Sequence, residues 1–403
     1  VDTTFRPAFN AAYTDDLYRR FLKTMEDDVG PVHYRVAETP LFMTAALRDD
    51  LARAASEIVA LLSQPARVEA MKRAIPARFN VPNMDNLPNT TQVDFALCAA
   101  PGGGLTGRVV ELQGFPSLYA LMDVKTASWE KVLEGHPVLG RRWTSYMGRT
   151  PEEAREHIRR AFVGDEDPEH VCLVDIYPEQ QKTSGDFWAT KRIHGIDTCC
   201  LTKLIKRGRR LYRLKDGREV PVKRIYNRVV FDELEAKKVE APFRWDEELE
   251  VSWCSHPNWY WTWSKYSLPG LDHPAVPRTT YLSDLPAVPA NLQDYVLKPL
   301  FSFAGTGVKV DVTEADLEAV PAAQRHLWVL QEKVTYVGVL PMPDGTPVKG
   351  EVRVMLVRAP GEQTLTPRMV LVRLSRGKMI GVDQNKDLTW VGGTVGMWPA
   401  DAA

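Results

Sequence analysis

Apolar residues recur at three- and four-residue steps over residues 39–75. Leu41, Ala45, Leu51, Ala55, Ile58, Val59 and Leu62 stand in register, with Arg and Asp between them. That spacing predicts an amphipathic helix. The Pro- and Asn-rich stretch 76–92 predicts a loop. The period then changes. VDFALCAA and RVVELQGF are apolar, partly β-branched runs joined by glycines at 102–104, which predicts an antiparallel hairpin. Residues 151–163 (PEEAREHIRRAFV) read as a helix opened by Pro151, with acids in its first turn and Arg159 and Arg160 in its last. VCLVDIY (171–177) is a continuous apolar run, the signature of a strand buried on both faces. A helix-like stretch and a second short strand near Thr198–Ile205 complete a βαβ pattern. The fold class expected is α/β (α+β).

Further on, residues 203–224 carry ten basic residues against Asp216 and Glu219. An anion-binding patch is one reading. The alternation of RRLYRLKDGREVPV around Asp216-Gly217 favours a hairpin with a solvated outer face. Residues 253–263 hold Trp253, Trp259, Trp261 and Trp263. The last three alternate and could line one side of an extended segment as a substrate lid, but core packing is the favoured reading. The proline-rich stretch 268–290 reads as a surface connector.

Composition narrows the function classes. The 403 residues are 44% hydrophobic and 26% charged, with a net charge of −1. That is an ordinary globular balance, and it excludes both disorder and coating of nucleic acid by bulk charge. No apolar run approaches the length needed to span a bilayer. The segment VDTTFRPAFN shows no basic stretch ahead of an apolar core, so no secretory leader is read there. Five cysteines without a CxxC support neither a disulfide framework nor a zinc ribbon, and fit a cytoplasmic protein. Metal-binding histidine spacings, GxSxG and the Walker motif do not occur, and GTGVKV lacks the third glycine of GxGxxG.

The chemistry concentrates in DYVLKPLFSFAGTGVKV (294–310). A short strand, Tyr295 to Leu297, delivers Lys298, and a turn with Gly305 and Gly307 leads to a second strand. The ammonium suits phosphate oxygens, and glycines let backbone N–H groups approach them. HLWVLQEKV (326–334) predicts a strand running into Gln331, Glu332, Lys333 and Val334, which could present backbone groups to an adenine edge. In KGEVRVMLV (349–357), Glu351 and Arg353 share a strand face, as a metal–phosphate site would use them.

In order, YVLKPLFSFAGTGV, WVLQEKV and GEVRVMLV resemble the ATP-binding portion of the ATP-grasp superfamily, with Lys265 in WSKYSLPG as its upstream lysine. The acidic metal-binding stretch lies early instead, in VDFALCAAPGGGLTGRVVELQGFPSLYAL (93–121). That order resembles the circularly permuted branch that includes glutathionylspermidine synthetase-like proteins. LVDIYPEQQKTSGDFWATKRIHGI and VKRIYNRVVFDEL resemble its inserted acceptor domain.

The resemblance implies an ATP- and Mg²⁺-dependent carboxylate–amine ligase working through an acyl phosphate. Asp94, Glu111 and Gln113 would ligate the metal. Lys265, Lys298, Gly305, Gly307 and the segment Gln331–Val334 would hold ATP. Lys298, Glu351 and Arg353 would serve the reaction. Gln180 and Thr183 past the 171–177 strand, with Tyr177 and Asp186 beside them, and Tyr226 and Arg228 at the end of another, are candidates for the acceptor side. Two positions depart from the family pattern. Gln113 stands for Asn, and Gln92 stands where an arginine is usual, a charge that Arg353 or Arg108 would have to supply. The domains implied are a metal-binding half at 1–165, an acceptor domain at 166–250 and an ATP-binding part at 251–403. Small-molecule or peptide acids and amines would be the partners, without nucleic acid or membrane, and homo-oligomerisation is left open. The alternatives are a non-catalytic nucleotide-binding module and a small-molecule phosphotransferase.

Overall fold

The computed structural model describes residues 2–148, 150–302, 306–377, 380, 385 and 387–400. It is a mixed α/β structure with several sheets. The largest is an eight-stranded sheet whose main order is Leu41–Phe42, Gly392–Pro399, Thr366–Ser375, Pro347–Val357, Thr90–Ala99 and Leu105–Gln113. Only Leu41–Phe42 runs parallel to its neighbour on this path. Strands from residues 90–113 and from residues 347–399 therefore share one sheet.

The predicted hairpin is present, and it begins inside the expected loop: Thr90, Thr91 and Gln92 already belong to the strand. The predicted 39–75 helix is shorter. It runs Ala45–Leu62, capped by the Thr44 side chain, and Pro65 opens a separate helix to Met71. Proline has no N–H to donate, so it starts a helix more readily than it continues one. The Ala45–Leu62 helix covers one face of the hairpin so closely that a Cβ on Gly107 would lie 2.4 Å from Leu51 Cδ2.

Helix Pro151–Val163 forms as predicted, with Thr150 and Glu153 closing a capping box. Val171–Asp175 lies in an all-parallel sheet, between Arg224–Asn227 and Asp197–Cys200. Helix Ser184–His194 crosses between the two halves of the βαβ unit. Hairpin Arg210–Lys215 and Arg218–Val222 turns at Asp216-Gly217, both at positive φ. Its cations meet carboxylates: Arg207 with Glu219 at 2.6 Å, Arg210 with Glu250 at 2.7 Å, Arg218 with Glu169 at 2.7 Å.

The tryptophan segment is not extended. Trp259–Thr262 is one short helical turn, and Trp259, Trp261 and Trp263 are buried. A third, antiparallel sheet orders Thr279–Tyr281, Trp328–Glu332, Tyr295–Pro299 and Lys309–Val310 over a small core of Leu282, Leu297, Leu317 and Leu330. No helix of the described residues is long and apolar enough to cross a membrane.

Candidate functional site

Register builds the site on one face of the central sheet. Glu111 pairs with Asp94, and Asp94 with Arg353 on the next strand. One row away, Glu351 pairs with Arg373 of Thr366–Ser375. Directly opposed residues project to the same side of a sheet, so these five form a charged patch in an otherwise apolar layer. The hairpin register shifts after Asp94, leaving Val110 without a strand partner, as in a β-bulge. The Val110 carbonyl accepts instead from Lys298 Nζ at 2.9 Å. The bulge thus ties the small sheet to the large one.

Lys265 arrives by another route. Gly114 follows the Glu111 strand, and its N–H donates to Trp263 O at 2.6 Å. A Cβ on Gly114 would lie 2.7 Å from Trp263 Cβ, so the tryptophan turn packs directly on this backbone. Two residues later, Lys265 Nζ donates to Glu111 Oε1 and Ser302 O, both at 2.9 Å. Burial alone would raise the Glu111 carboxyl, but the Lys265 ammonium, with Arg373 and Arg353, holds it down at about 2. Burial pushes the Lys298 ammonium down to about 8; Glu111 opposes this and Lys265 adds to it. Lys298 also donates to Gln331 Oε1 at 2.6 Å, and Gln331 donates onward to Thr279 Oγ1 at 3.0 Å.

Arg353 donates to both Asp94 oxygens, Nε to Oδ1 at 2.6 Å and Nη2 to Oδ2 at 2.7 Å. Arg373 bonds the same Asp94 and reaches Glu351 Oε1 at 2.5 Å. Tyr336 donates to Glu351 Oε2 at 2.8 Å. The Gln113 amide lies between Gln92 Oε1, at 2.6 Å, and Arg353; with its oxygen assigned to the guanidinium side, the orientation that offers Arg353 an acceptor, it accepts from Nη1 at 2.7 Å and Nη2 at 3.0 Å. Gln92 donates to Ser117 O at 2.9 Å and carries no charge into the cluster. Arg353 and Arg373, not Arg108, are the guanidiniums at Asp94.

Asp94, Glu111, Gln113, Lys265, Lys298, Gln331, Glu351 and Arg353 thus meet in one cluster. Others stand apart. The Glu332 N–H donates to Arg278 O and the Lys333 N–H to Asp294 O, so these two are engaged with neighbouring segments rather than open to an adenine edge. Lys333 Nζ pairs with Asp311 at 2.8 Å, and Val334 follows the strand, half-buried. Gly307, at φ 75°, packs against Pro299, whereas Gly305 lies outside the described residues.

On the acceptor side, Arg228 and Thr183 come together at 3.3 Å, and Arg228 also donates to Pro116 O in the turn after Gln113. Gln180 sits exposed on a surface turn. Tyr226 is core: fully buried, stacked on Phe162 at 4.5 Å, with no hydrogen-bond partner for its hydroxyl among the described residues. Asp186 is a buried cap, accepting from Leu118 N and Leu121 N at 3.0 Å each.

The sequence reading passed over Arg373, Tyr336 and Asp175. The available signal for Arg373 was a lone charge inside the apolar run MVLVRLS. Asp175 closes the buried parallel strand, and burial raises its carboxyl to about 7 although Arg228 pulls it down. Among the described residues, cavities lie outside the charged cluster, one of them, of about 520 Å³, beside Arg19, Lys23 and Glu26. One of about 340 Å³ is bordered by Trp245, Trp253 and Arg358, and one of about 540 Å³ by Trp188, Lys191 and Leu214.

The donors can be tested against a Mg²⁺ ion, which takes near-octahedral oxygen ligands. Both Asp94 oxygens and both Glu351 oxygens are already hydrogen-bonded, and Glu111 Oε1 accepts from Lys265. Among the described residues no group of three His, Cys, Asp or Glu side chains could hold a metal. In this arrangement the donor set does not fit the ion.

No family model and no curated protein matches the sequence. A solved structure does. The fold is similar to that of a glutathione synthetase-like effector from Globodera pallida in apo form, with a TM-score of 0.59 and 12% identity, over 90% of this chain and 94% of that one. The likeness extends over nearly the whole of both chains, and at this identity it speaks for the fold.

Proposed function

We propose that the chain is an ATP-dependent carboxylate–amine ligase built as a circularly permuted ATP-grasp protein. The observation that carries this reading is the convergence of Lys265 and Lys298, from separate segments, on the strand of Glu111, beside Arg353 and Arg373. The ligase-type fold of the structural neighbour supports it. In this reading residues 1–165 carry the acidic half, 166–250 the acceptor region and 251–403 the lysine half.

The residues suggest roles. A triphosphate reaching the cluster would replace Glu111 as the partner of Lys265, and Val110 O and Gln331 as the partners of Lys298. A carboxylate oxygen of the acid substrate attacks the γ-phosphorus, the bond to the β-phosphate oxygen breaks, and ADP leaves. The amine nitrogen then attacks the acyl carbon, loses its proton, and phosphate departs. Lys265, Lys298 and Arg373 neutralise the charge that builds on the transferred group; positioning and electrostatics carry most of such a reaction. Arg228 and Thr183, next to the turn after Gln113, are placed to hold the acceptor.

A panel of acids and amines, assayed for ADP and phosphate release, tests the proposal. Lys298→Ala should abolish release, and retained turnover in that variant would sink the assignment. A second reading, nucleotide binding without ligation, is favoured by one observation: Arg353 sits among the donors expected to hold a metal. It predicts ATP binding with no acceptor-dependent product.

A further inference from the structure

We infer that the Arg353 guanidinium stands where a divalent ion would stand, and that the charged cluster takes the polyphosphate of its nucleotide without a metal. This rests on the nucleotide reading above and deepens it.

Three observations carry the inference. First, two donors that would ligate an ion from this face, Asp94 and Gln113, both turn to one guanidinium. Asp94 is held through both oxygens at 2.6 and 2.7 Å, and the Gln113 amide, with its oxygen assigned to the guanidinium side, lies 2.7 Å from it. Second, that guanidinium is fixed. Arg353 lies in the middle of the strand Pro347–Val357 between buried Val352 and Val354, and its side chain is 9% exposed. An arginine keeps its charge at every accessible pH and is tethered by its own backbone, so it does not dissociate as an ion does. A Mg²⁺ ion bound to the same oxygens would face this cation at close range in a poorly solvated site, where like charges repel strongly.

Third, the remaining carboxylates do not make a second site. Glu111 is bonded to Lys265, and Glu351 to Arg373 and Tyr336. The four cations Lys265, Lys298, Arg353 and Arg373 therefore outnumber the three acids Asp94, Glu111 and Glu351. The excess is positive before any metal is added, as a polyanion requires. Arg373, 33% exposed, and Glu111, 30% exposed, are part-open, and they mark a side from which phosphates reach the cluster. In this arrangement Asp94 is a positioning residue for two arginines.

The test has two arms on the full chain. In the first, Mn²⁺ is titrated and free ion followed by electron paramagnetic resonance, with and without ATP. The chain should hold no Mn²⁺ beyond what ATP binds in buffer. Arg353→Met, which releases Asp94 Oδ1 and Gln113, should gain a site. One equivalent of Mn²⁺ held by the unaltered chain overturns the inference, whatever the variant does. In the second arm, ATP is titrated calorimetrically in EDTA and in Mg²⁺. Affinities within about threefold of each other support the inference, and a tenfold or larger gain with Mg²⁺ overturns it while leaving the nucleotide reading intact. No ATP binding in either buffer sinks the nucleotide reading and the polyphosphate part with it; the Mn²⁺ arm still decides what Arg353 does.

Discussion

Two regions of this molecule are rich in arginine and lysine, and they use the charge in opposite ways. In the hairpin Arg210–Val222 and its flanks, the cations are spaced along exposed strand faces, and each of several reaches a carboxylate across the surface. In the central sheet, four cations from separate segments converge on three acids in a largely buried layer. Exposed pairs are screened by water and contribute little, whereas a buried cation left without its partner is costly. The density of charge in a sequence window is therefore a poor guide to where charges are buried together. A single charge inside an apolar strand is a better one.

The comparison can be broken at several points. The largest effect is expected from Asp94→Ala. It strands Arg353 and Arg373 without their shared carboxylate and should cost about 3–5 kcal/mol in urea unfolding; a loss under 1 kcal/mol would mean that the cluster is hydrated and resembles the hairpin. Next is Gly107→Val, whose side chain collides with Leu51 under the charged face. Overpacking of this kind costs about 1–3 kcal/mol, again read from the unfolding midpoint.

A smaller, functional effect is expected from pH. Lys298, pushed down to about 8, loses its proton as pH rises through that value. ATP affinity measured by calorimetry should therefore fall between pH 7 and pH 9, by up to about tenfold per pH unit once Lys298 is neutral. Lys298→Arg should flatten the profile, because the guanidinium stays charged. Tyr226→Phe removes a buried hydroxyl that has no partner and should change stability by less than about 1 kcal/mol. Smallest of all, Arg207→Ala should leave the melting temperature where it is, because Glu219 opposite it is open to water.

Much of the site was legible because strand geometry is local. The two-residue period placed Glu351 with Arg353 and Glu111 with Gln113, and the glycines at 102–104 announced the hairpin. Other elements left little periodic trace. Helix Tyr119–Leu133 is buried almost all round, so no apolar stripe marks it. Its start at Leu118, at φ 64°, is capped by Asp186, 68 residues away. A cap that comes from so far along the chain cannot be read from its neighbours.

What the sequence determined by itself was the inventory and the local geometry: which charges lie in apolar strands, which residues share a face, where proline and glycine interrupt. Only the tertiary structure decided partnership. Whether Asp94 faces an ion or a guanidinium depends on Pro347–Val357 lying next to Thr90–Ala99, some 250 residues apart in the chain. Sheet register couples such distant segments through backbone hydrogen bonds that carry no mark of their partner in the sequence, and burial then fixes which charges must neutralise one another.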